Sequence, residues 1–376
     1  MTRLSSVLLA ASLLAPAVAS AEDESPPLSI YGFARLDVLA DDSRMSDIHQ
    51  PLFVMREPGN GAFDGELTMT PRMSRVGLGI DEWELDDDDD RKGEGKLEID
   101  FGGAGGLNLI RLRHAYAQIS FDKKVEILAG QTWDLVSPLF PSAQNDTQLL
   151  FAGNTGDRRP QLRVSVYPDS HVRIAVAAAA TGSLDQRDLD SDGQLDGMAS
   201  ATPMIQGLIE VRKRLSGDAT MRFGIWGHLS RDELADGTQH PSRSLGAHLF
   251  VPAGPKMVWI AEVYGGSNVA DIGGGIGQGV NPVTGRTIRA LGGWAELAVI
   301  PTQKHMIAFG GSGDFARASD LEMGDREKNG TAYAVLRYKP KASLQLGLEY
   351  LYWKTVYKGM SDGTANRFNM HLSVFF

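Results

Sequence analysis

The 376-residue chain contains no cysteine, which excludes disulfides and thiolate metal sites. Beyond its first residues it also lacks any run approaching the ~18 apolar residues that a membrane-crossing helix needs. Basic residues are in deficit, with 37 Lys and Arg against 47 Asp and Glu. A chain of that balance is poorly suited to the phosphate backbone, so nucleic acid is set aside as a partner. Enzyme signatures are missing too: neither G-x-S-x-G nor H-E-x-x-H occurs, and the glycine run Gly273–Gly279 has neither dinucleotide nor P-loop spacing. That run reads as a flexible outer loop.

What is present begins with an export signal. Arg3 supplies its charged start, Leu8–Leu14 its apolar stretch, and Ala19-Ser20-Ala21 a small-residue cleavage site. Residues 1–21 are therefore set apart from the fold, and 22–376 are read as one domain. About 355 residues could hold two or three globular units. Yet no linker and no alternation of helix with strand interrupts the pattern that runs from Leu28 to Phe376.

That pattern is alternation with a period of two. About sixteen segments carry it, spaced about 22 residues apart. They include Ser29–Leu39, Pro71–Asp81, Lys96–Phe101, Leu109–Phe121, Val125–Gln131, Gln161–Tyr167 and, last, Asn366–Phe376. In the first, Ile30, Ala34, Leu36 and Val38 share one face while Arg35 and Asp37 share the other. A soluble sandwich also alternates. The export signal, the even strand number and charges repeated on one face favour an all-β transmembrane antiparallel barrel, the one architecture in which strands satisfy their backbone groups in lipid. The chain ends with Met370, Leu372, Val374 and Phe376 in alternation, which resembles the C-terminal assembly signal of bacterial outer-membrane barrels. The expected setting is thus the bacterial outer membrane. Long connections are assigned to its outer side, while the run Asp86–Asp90, in a short-turn position, reads as solvated charge.

Arg111 and Arg113, and then Arg159 and Arg163 with Gln161 between them, sit on alternate positions of two strands. Between those strands lie about two dozen irregular residues, Trp133–Asp157, long for an ordinary connection. With Arg35 and Arg75 these arginines make a basic lumen wall, able to attract anions and to bind carboxylates through paired hydrogen bonds. The plainer alternative is that they neutralise Asp37, Glu98 and Asp100. The long loop is expected to fold into the lumen. Trp133 and its apolar residues would fasten it, and Asp134, Asp146 and Asp157 would oppose the arginines across a constriction. Strict alternation from Arg113 sends His114, Tyr116, Gln118 and Ser120 outward, against a neighbouring subunit; a bulge would turn them inward instead.

A second motif is independent of the barrel. Asp188, Asp190, Asp192 and Asp196 occupy positions one, three, five and nine of an EF-hand-type loop, with Gly193 at six and the Gln194 carbonyl at seven. Position twelve is Ala199, so the usual bidentate glutamate is missing. The loop is a candidate calcium site, and no other cofactor is implied. Taken together, the residues point to passive diffusion of small hydrophilic anions, with a barrel hydrolase or a plugged surface-binding barrel as alternatives.

The segments RLRHAYAQISF, ILAGQTWDLVSPLFP, GNTGDRRPQLR, GGWAEL and LGLEYLYW resemble the DcaP-like family of trimeric outer-membrane porins. The resemblance spans most of the exported chain and is densest between Arg111 and Arg163. It implies a sixteen-stranded barrel, a homotrimer, an inward-folded third loop and diffusion of small anionic solutes such as dicarboxylates. Carried onto this sequence, it makes Arg111, Arg113, Arg159 and Arg163 the basic wall, with Trp133 and Asp134 opening the constriction loop. Some members carry a coiled-coil segment before the barrel; here Glu22–Leu28 precede the first strand, so trimer contacts are expected from the barrel walls.

Overall fold

The computed structural model describes residues 27–59, 61–85, 91–103, 108–143, 147–215 and 219–376. The export signal, the Asp86–Asp90 run and Asp146 lie outside the described residues. The first half of the chain supplies β1 (Leu28–Asp41), β2 (Glu66–Thr70), β3 (Arg75–Glu84), β4 (Arg91–Asp100), β5 (Arg111–Phe121) and β6 (Val125–Trp133). Then come β7 (Arg158–Asp169), β8 (Val172–Ala179), β9 (Met204–Arg214), β10 (Thr220–Glu233), β11 (Gln239–Pro252) and β12 (Met257–Ser267). The last five are β13 (Arg289–Thr302), β14 (His305–Ala316), β15 (Arg326–Lys341), β16 (Leu344–Tyr357) and β17 (Gly363–Phe375).

Each strand pairs antiparallel with its sequence neighbour, and β1 pairs with β17 to close the sheet. Among the described residues the strands number seventeen but the barrel has sixteen staves, because β2 and β3 lie end to end along β1. Where they part, the Ser74 hydroxyl accepts from the Arg35 N–H (2.9 Å) and donates to the Arg35 carbonyl (3.1 Å). The interruption therefore leaves neither peptide group of Arg35 unpaired.

Burial is inverted relative to a soluble protein. Leu36, Leu97, Val176 and Ile209 are outward and exposed, while Asp37, Glu98, Gln206 and Glu296 are inward and buried. That is the expected division between a lipid face and a polar lumen. Turns at 122–124, 170–171, 303–304 and 342–343 gather at one rim, and the long connections 42–65, 134–157, 180–203 and 268–288 at the other.

The register of β5 corrects the outward placement of His114. Glu98 pairs with His114 and Ile99 with Leu112, so Arg113 is an extra residue, a bulge between the two pairs. The bulge turns both Arg113 and His114 inward, where they are 6% exposed, and the His114 ring meets the Thr132 hydroxyl at 3.0 Å. Tyr116, Gln118 and Ser120 then pair with Lys96, Glu94 and Lys92 on the lumen side, and Ala115, Ala117 and Ile119 take the lipid side. Opposite Tyr116, Gly130 adopts φ +128°, and a Cβ there would meet the Ala115 carbonyl oxygen. Gly130→Ala should cost roughly 1–3 kcal/mol through backbone strain. The expected readout is a lower temperature for loss of the folded band in heat-modifiability gels.

Candidate functional site

The 134–157 loop narrows the lumen, and its contacts run along the inward faces of the strands. At its root Asp134 is buried and accepts from Arg159 Nε (2.9 Å), Gln206 Nε2 (2.7 Å) and the Asp157 N–H (3.1 Å). The Leu135 N–H donates to Gln206 Oε1 (2.7 Å), and the Ser137 hydroxyl and the Leu139 N–H (2.9 Å) donate to Glu262. Ser142 donates through both N–H (2.7 Å) and hydroxyl (2.6 Å) to Glu296, and its carbonyl accepts from Arg337 (2.7 Å). These partners sit on β9, β12, β13 and β15, so the loop crosses the lumen along the second half of the wall. Leu135, Leu139 and Leu149 of the loop are themselves buried.

The 268–288 connection is not a flexible outer loop. Val269, Ile272 and Ile276 are buried, and two short 3-10 turns, Ala270–Ile272 and Gly275–Gly277, pack it into the barrel mouth. Gly273, Gly275 and Gly277 hold φ of 84°, 64° and 71°, so these glycines serve left-handed turns. The Asp271 carboxylate accepts from Arg159 Nη1 (3.0 Å) and from the N–H groups of Gly182 (2.8 Å) and Leu184 (3.0 Å). Arg159 is therefore a buried clamp between Asp134 and Asp271, not a pore-lining residue.

What the loops leave open is a cavity of about 470 Å³. Arg35, Arg75, Lys96, Arg113, Arg158 and Lys339 line it, and Glu98 is the one lining carboxylate among the described residues. Trp133, Phe140 and Gln148 form its loop side. Glu98 accepts from Arg113 Nε (2.7 Å) and the Tyr31 hydroxyl (2.9 Å), with Arg75 at 3.3 Å and Lys96 at 3.4 Å. One carboxylate facing three cations leaves the wall positive. Arg35 pairs with Asp37, and Asp100 binds Arg111 (2.8 and 2.9 Å) as well as Arg113 (2.9 Å). Arg111 borders a second cavity of about 200 Å³ with Asp157 and Arg158. Arg163 faces inward but turns to the loop root, donating to Gln161 Oε1 (2.7 Å) and the Trp133 carbonyl.

Among the described residues, the loop acids Asp134 and Asp157 do not form an opposed row. Asp134 is enclosed by Arg159, and Asp157 pairs with its neighbour Arg158 at 3.2 Å. The counter-charges to Arg35, Arg75, Arg111 and Arg113 are Asp37, Glu98 and Asp100 on their own wall. Three cavity cations, Lys96, Arg158 and Lys339, were not among the sequence candidates. Lys96 was legible, alternating with Leu97 beside Glu98. Arg158 was not: β6 and β7 continue to the Trp133–Arg158 pair beyond the last β5–β6 pair, Ala115–Gln131. Freed from β5, this hairpin end presents Arg158 to the cavity, its guanidinium 4.6 Å from the Trp133 ring centroid.

In the candidate calcium loop, carboxylate oxygens of Asp188, Asp190 and Asp196 lie within 4.8 Å of one another. Asp192 does not join them; its carboxylate accepts from the Gln194 N–H (2.7 Å). Arg187 stands 3.7 Å from Asp196. Burial raises the Asp196 carboxyl above the usual range, with the Leu189 N–H and Arg187 acting the other way.

A closed antiparallel barrel of sixteen staves with a loop folded into a polar lumen is the fold of an outer-membrane porin channel. The outer membrane channel DcaP of Acinetobacter baumannii shares it with a TM-score of 0.76 at 17% identity, over 93% of this chain and 97% of that one. An anion-selective porin from Comamonas acidovorans is similar at TM-score 0.61 and 11% identity, over 93% and 99%. OmpT, an outer membrane protein of Vibrio cholerae, follows at 0.59 and 11% over 95% and 100%, and has also been solved in a trimer form. No protein-family model and no curated protein sequence matches the chain.

Removing Arg159 would strand two buried carboxylates, so Arg159→Ala should cost about 3–5 kcal/mol. Arg113→Ala should leave the barrel folded, because Glu98 keeps Arg75, Lys96 and Tyr31 and Asp100 keeps Arg111. Heat-modifiability gels and recovery of folded protein after extraction distinguish the two outcomes.

Proposed function

We propose that this chain is a passive outer-membrane porin for small hydrophilic anions of dicarboxylate type, exported with cleavage near Ala21, performing no chemical reaction. The observation that carries the proposal is the cavity bounded by six cations and one carboxylate. Solutes move down their gradients, and the cationic wall raises the local anion concentration at the narrowest part of the path. Two guanidinium groups facing one lumen suit a solute with a carboxylate at each end, because each can bind bidentately. Assembly as a homotrimer is part of the same reading. Ala115, Ala117 and Gly95 give adjoining strands a flat outward face that a second barrel can approach closely.

Planar-bilayer recordings in a salt gradient test the proposal. The expected reversal potential is anion-selective, diminished by Arg113→Ala and less so by Arg163→Ala, whose head group is engaged at the loop root. A cation-selective potential in the unmodified protein would sink it, and a hydrolytic activity without stable conductance would favour a barrel enzyme.

The acidic loop belongs to the proposal as a weak calcium site formed by Asp188, Asp190 and Asp196. Protons compete for the Asp196 carboxyl, raised by burial. Calcium uptake in calorimetric titration should therefore strengthen as pH rises from about 5 to about 7.5. No heat of binding at the higher pH removes the calcium site and leaves the porin reading untouched.

A further inference from the structure

The outside of the barrel carries outward cations as well as an apolar band. Near the rim that bears the long loops, one outward cross-strand row reads Ala178, Ile205 and Leu229, then Arg243, Ser267 and Arg289. Arg317 follows on the same exposed face, its N–H donating to the Arg289 carbonyl at 2.8 Å. The next row toward the short-turn rim is Leu245, Gly265, Leu291 and Phe315, apolar and, at its leucines, 66% and 57% exposed. Cations thus stand immediately above the lipid-facing band at β11, β13 and the end of β14.

Two depressions adjoin this row. One, of about 520 Å³, is bordered by Arg243, Arg286 and Arg289 and by two carboxylates, Asp320 and Glu322, of which Asp320 engages Arg289 and Glu322 accepts from Asn281 (3.0 Å). The other, of about 480 Å³, lies on the outward faces of β14–β16. Its floor is Gly313, Gly330 and Ala332, its sides are Phe315 and Tyr352, and Lys328 and Lys354 stand at its upper end. Gly313 pairs directly with Gly330, and Gly330 with Lys354; the Phe315 ring lies over Gly313, and the small residues Gly330 and Ala332 leave a slot between it and Tyr352, just below two ammonium groups. Lys328 and Tyr338, both outward on β15, are separated by ten residues. At ~3.3 Å per residue and a tilt of ~40° that spans about 25 Å, the height of a barrel's apolar band. Lys328 consequently lies at headgroup level when Tyr338 lies at the opposite interface.

A ligand complementary to both depressions needs an anionic head and an alkyl chain. We infer that this face binds a phosphorylated lipid of the outer leaflet, its phosphates held by Arg243, Arg286, Arg317 and Lys328 and an acyl chain lying in the Gly313–Gly330 slot. Arg289 and Lys354 contribute less, since Asp320 (2.6 Å) and Asp362 (3.0 Å) already engage them, whereas Lys328 has, among the described residues, only a long contact to Glu327 (3.9 Å). Guanidinium groups suit phosphate oxygens through paired donors, and the adjacent apolar row supplies the chain's solvent.

The test uses the full exported chain in detergent, titrated with diphosphorylated lipid A, with the same lipid after dephosphorylation, and with inorganic phosphate. Binding is read by native mass spectrometry and thermophoresis. The phosphorylated lipid should bind at least tenfold tighter than the dephosphorylated one. The triple variant Arg243→Gln, Arg317→Gln, Lys328→Gln should lose that preference, and Ala332→Trp should weaken binding by filling the slot. Equal affinity for both lipids overturns the inference, as does displacement by millimolar inorganic phosphate, which would indicate a free-anion site. Loss of subunit association in the triple variant, without change in lipid affinity, also overturns it and assigns the surface to a second copy of the chain. Reversal potentials of the triple variant should match the unmodified protein, so failure here is distinguishable from failure of the porin reading.

Discussion

A loop that turns back into a barrel carries its unpaired peptide groups into space already enclosed by strands, and each group must find a partner there. In this chain the partners are wall side chains. Gln206, Glu262 and Glu296 accept from the N–H groups of Leu135, Leu139 and Ser142 in turn, and Arg337 reaches the Ser142 carbonyl. The consequence is electrostatic as well as structural. Glu262 and Glu296 on the second half of the wall are occupied by the loop, while the cations of β1, β3, β4 and β5 face the space that remains. A chain with a formal charge of −10 thereby presents a positive cavity. Net charge describes the whole molecule; the sign at the constriction is decided by which wall groups the loop takes up.

The same constraint explains the Arg159 clamp. Asp134 begins the inward loop and Asp271 belongs to a separate connection, yet both carboxylates converge on one guanidinium with no exposed surface. A planar group with five donors can bridge two acids and still give Nη2 to the Asp271 carbonyl (2.6 Å). Breaking one such bond leaves a buried charge without its counter-ion, so the two loops hold or release together. Gly156 adds a peptide bond between them, donating to the Ile272 carbonyl at 2.6 Å. The narrowing of the lumen is thus a property of two connections and one arginine.

Much of this was legible in the amino-acid order. Period-two alternation located all sixteen staves, since a strand between lipid and water must sort its side chains at every step, as Leu36 and Asp37 or Leu97 and Glu98 do. Local order could not supply what depends on pairing. The Arg113 bulge exists only relative to Glu98 and Ile99, and without it His114 appears to face outward. Arg159 and Arg163 share a face of β7, but one is sealed beneath a connection 112 positions away and the other is not. Arg158, which alternation with Arg159 would turn outward, reaches the cavity because β5 stops pairing with β6 at Gln131. The glycines at 273, 275 and 277 look like flexibility in sequence and become tight turns once Tyr264, Asp314 and Phe151 surround them.

The alternation that builds the barrel also separates its two chemistries. On β14, Asp314 points inward and accepts from the Ile276 N–H (3.0 Å), while Phe315 points outward beside Gly313 and faces the lipid slot. On β15, Asn329 donates inward to the Leu52 carbonyl (2.7 Å) and the Phe151 carbonyl (2.8 Å), and its neighbour Lys328 stands outward at headgroup level. One residue step therefore crosses from loop anchorage to membrane contact. Because these neighbours share a backbone but no side-chain partner, the outer cation row can be matched to the lipid without disturbing the charges that line the cavity. Coupling between the faces would require a change in register, and a one-residue slip would turn every inward carboxylate of the strand toward lipid. The cost of such a slip fixes both surfaces at once.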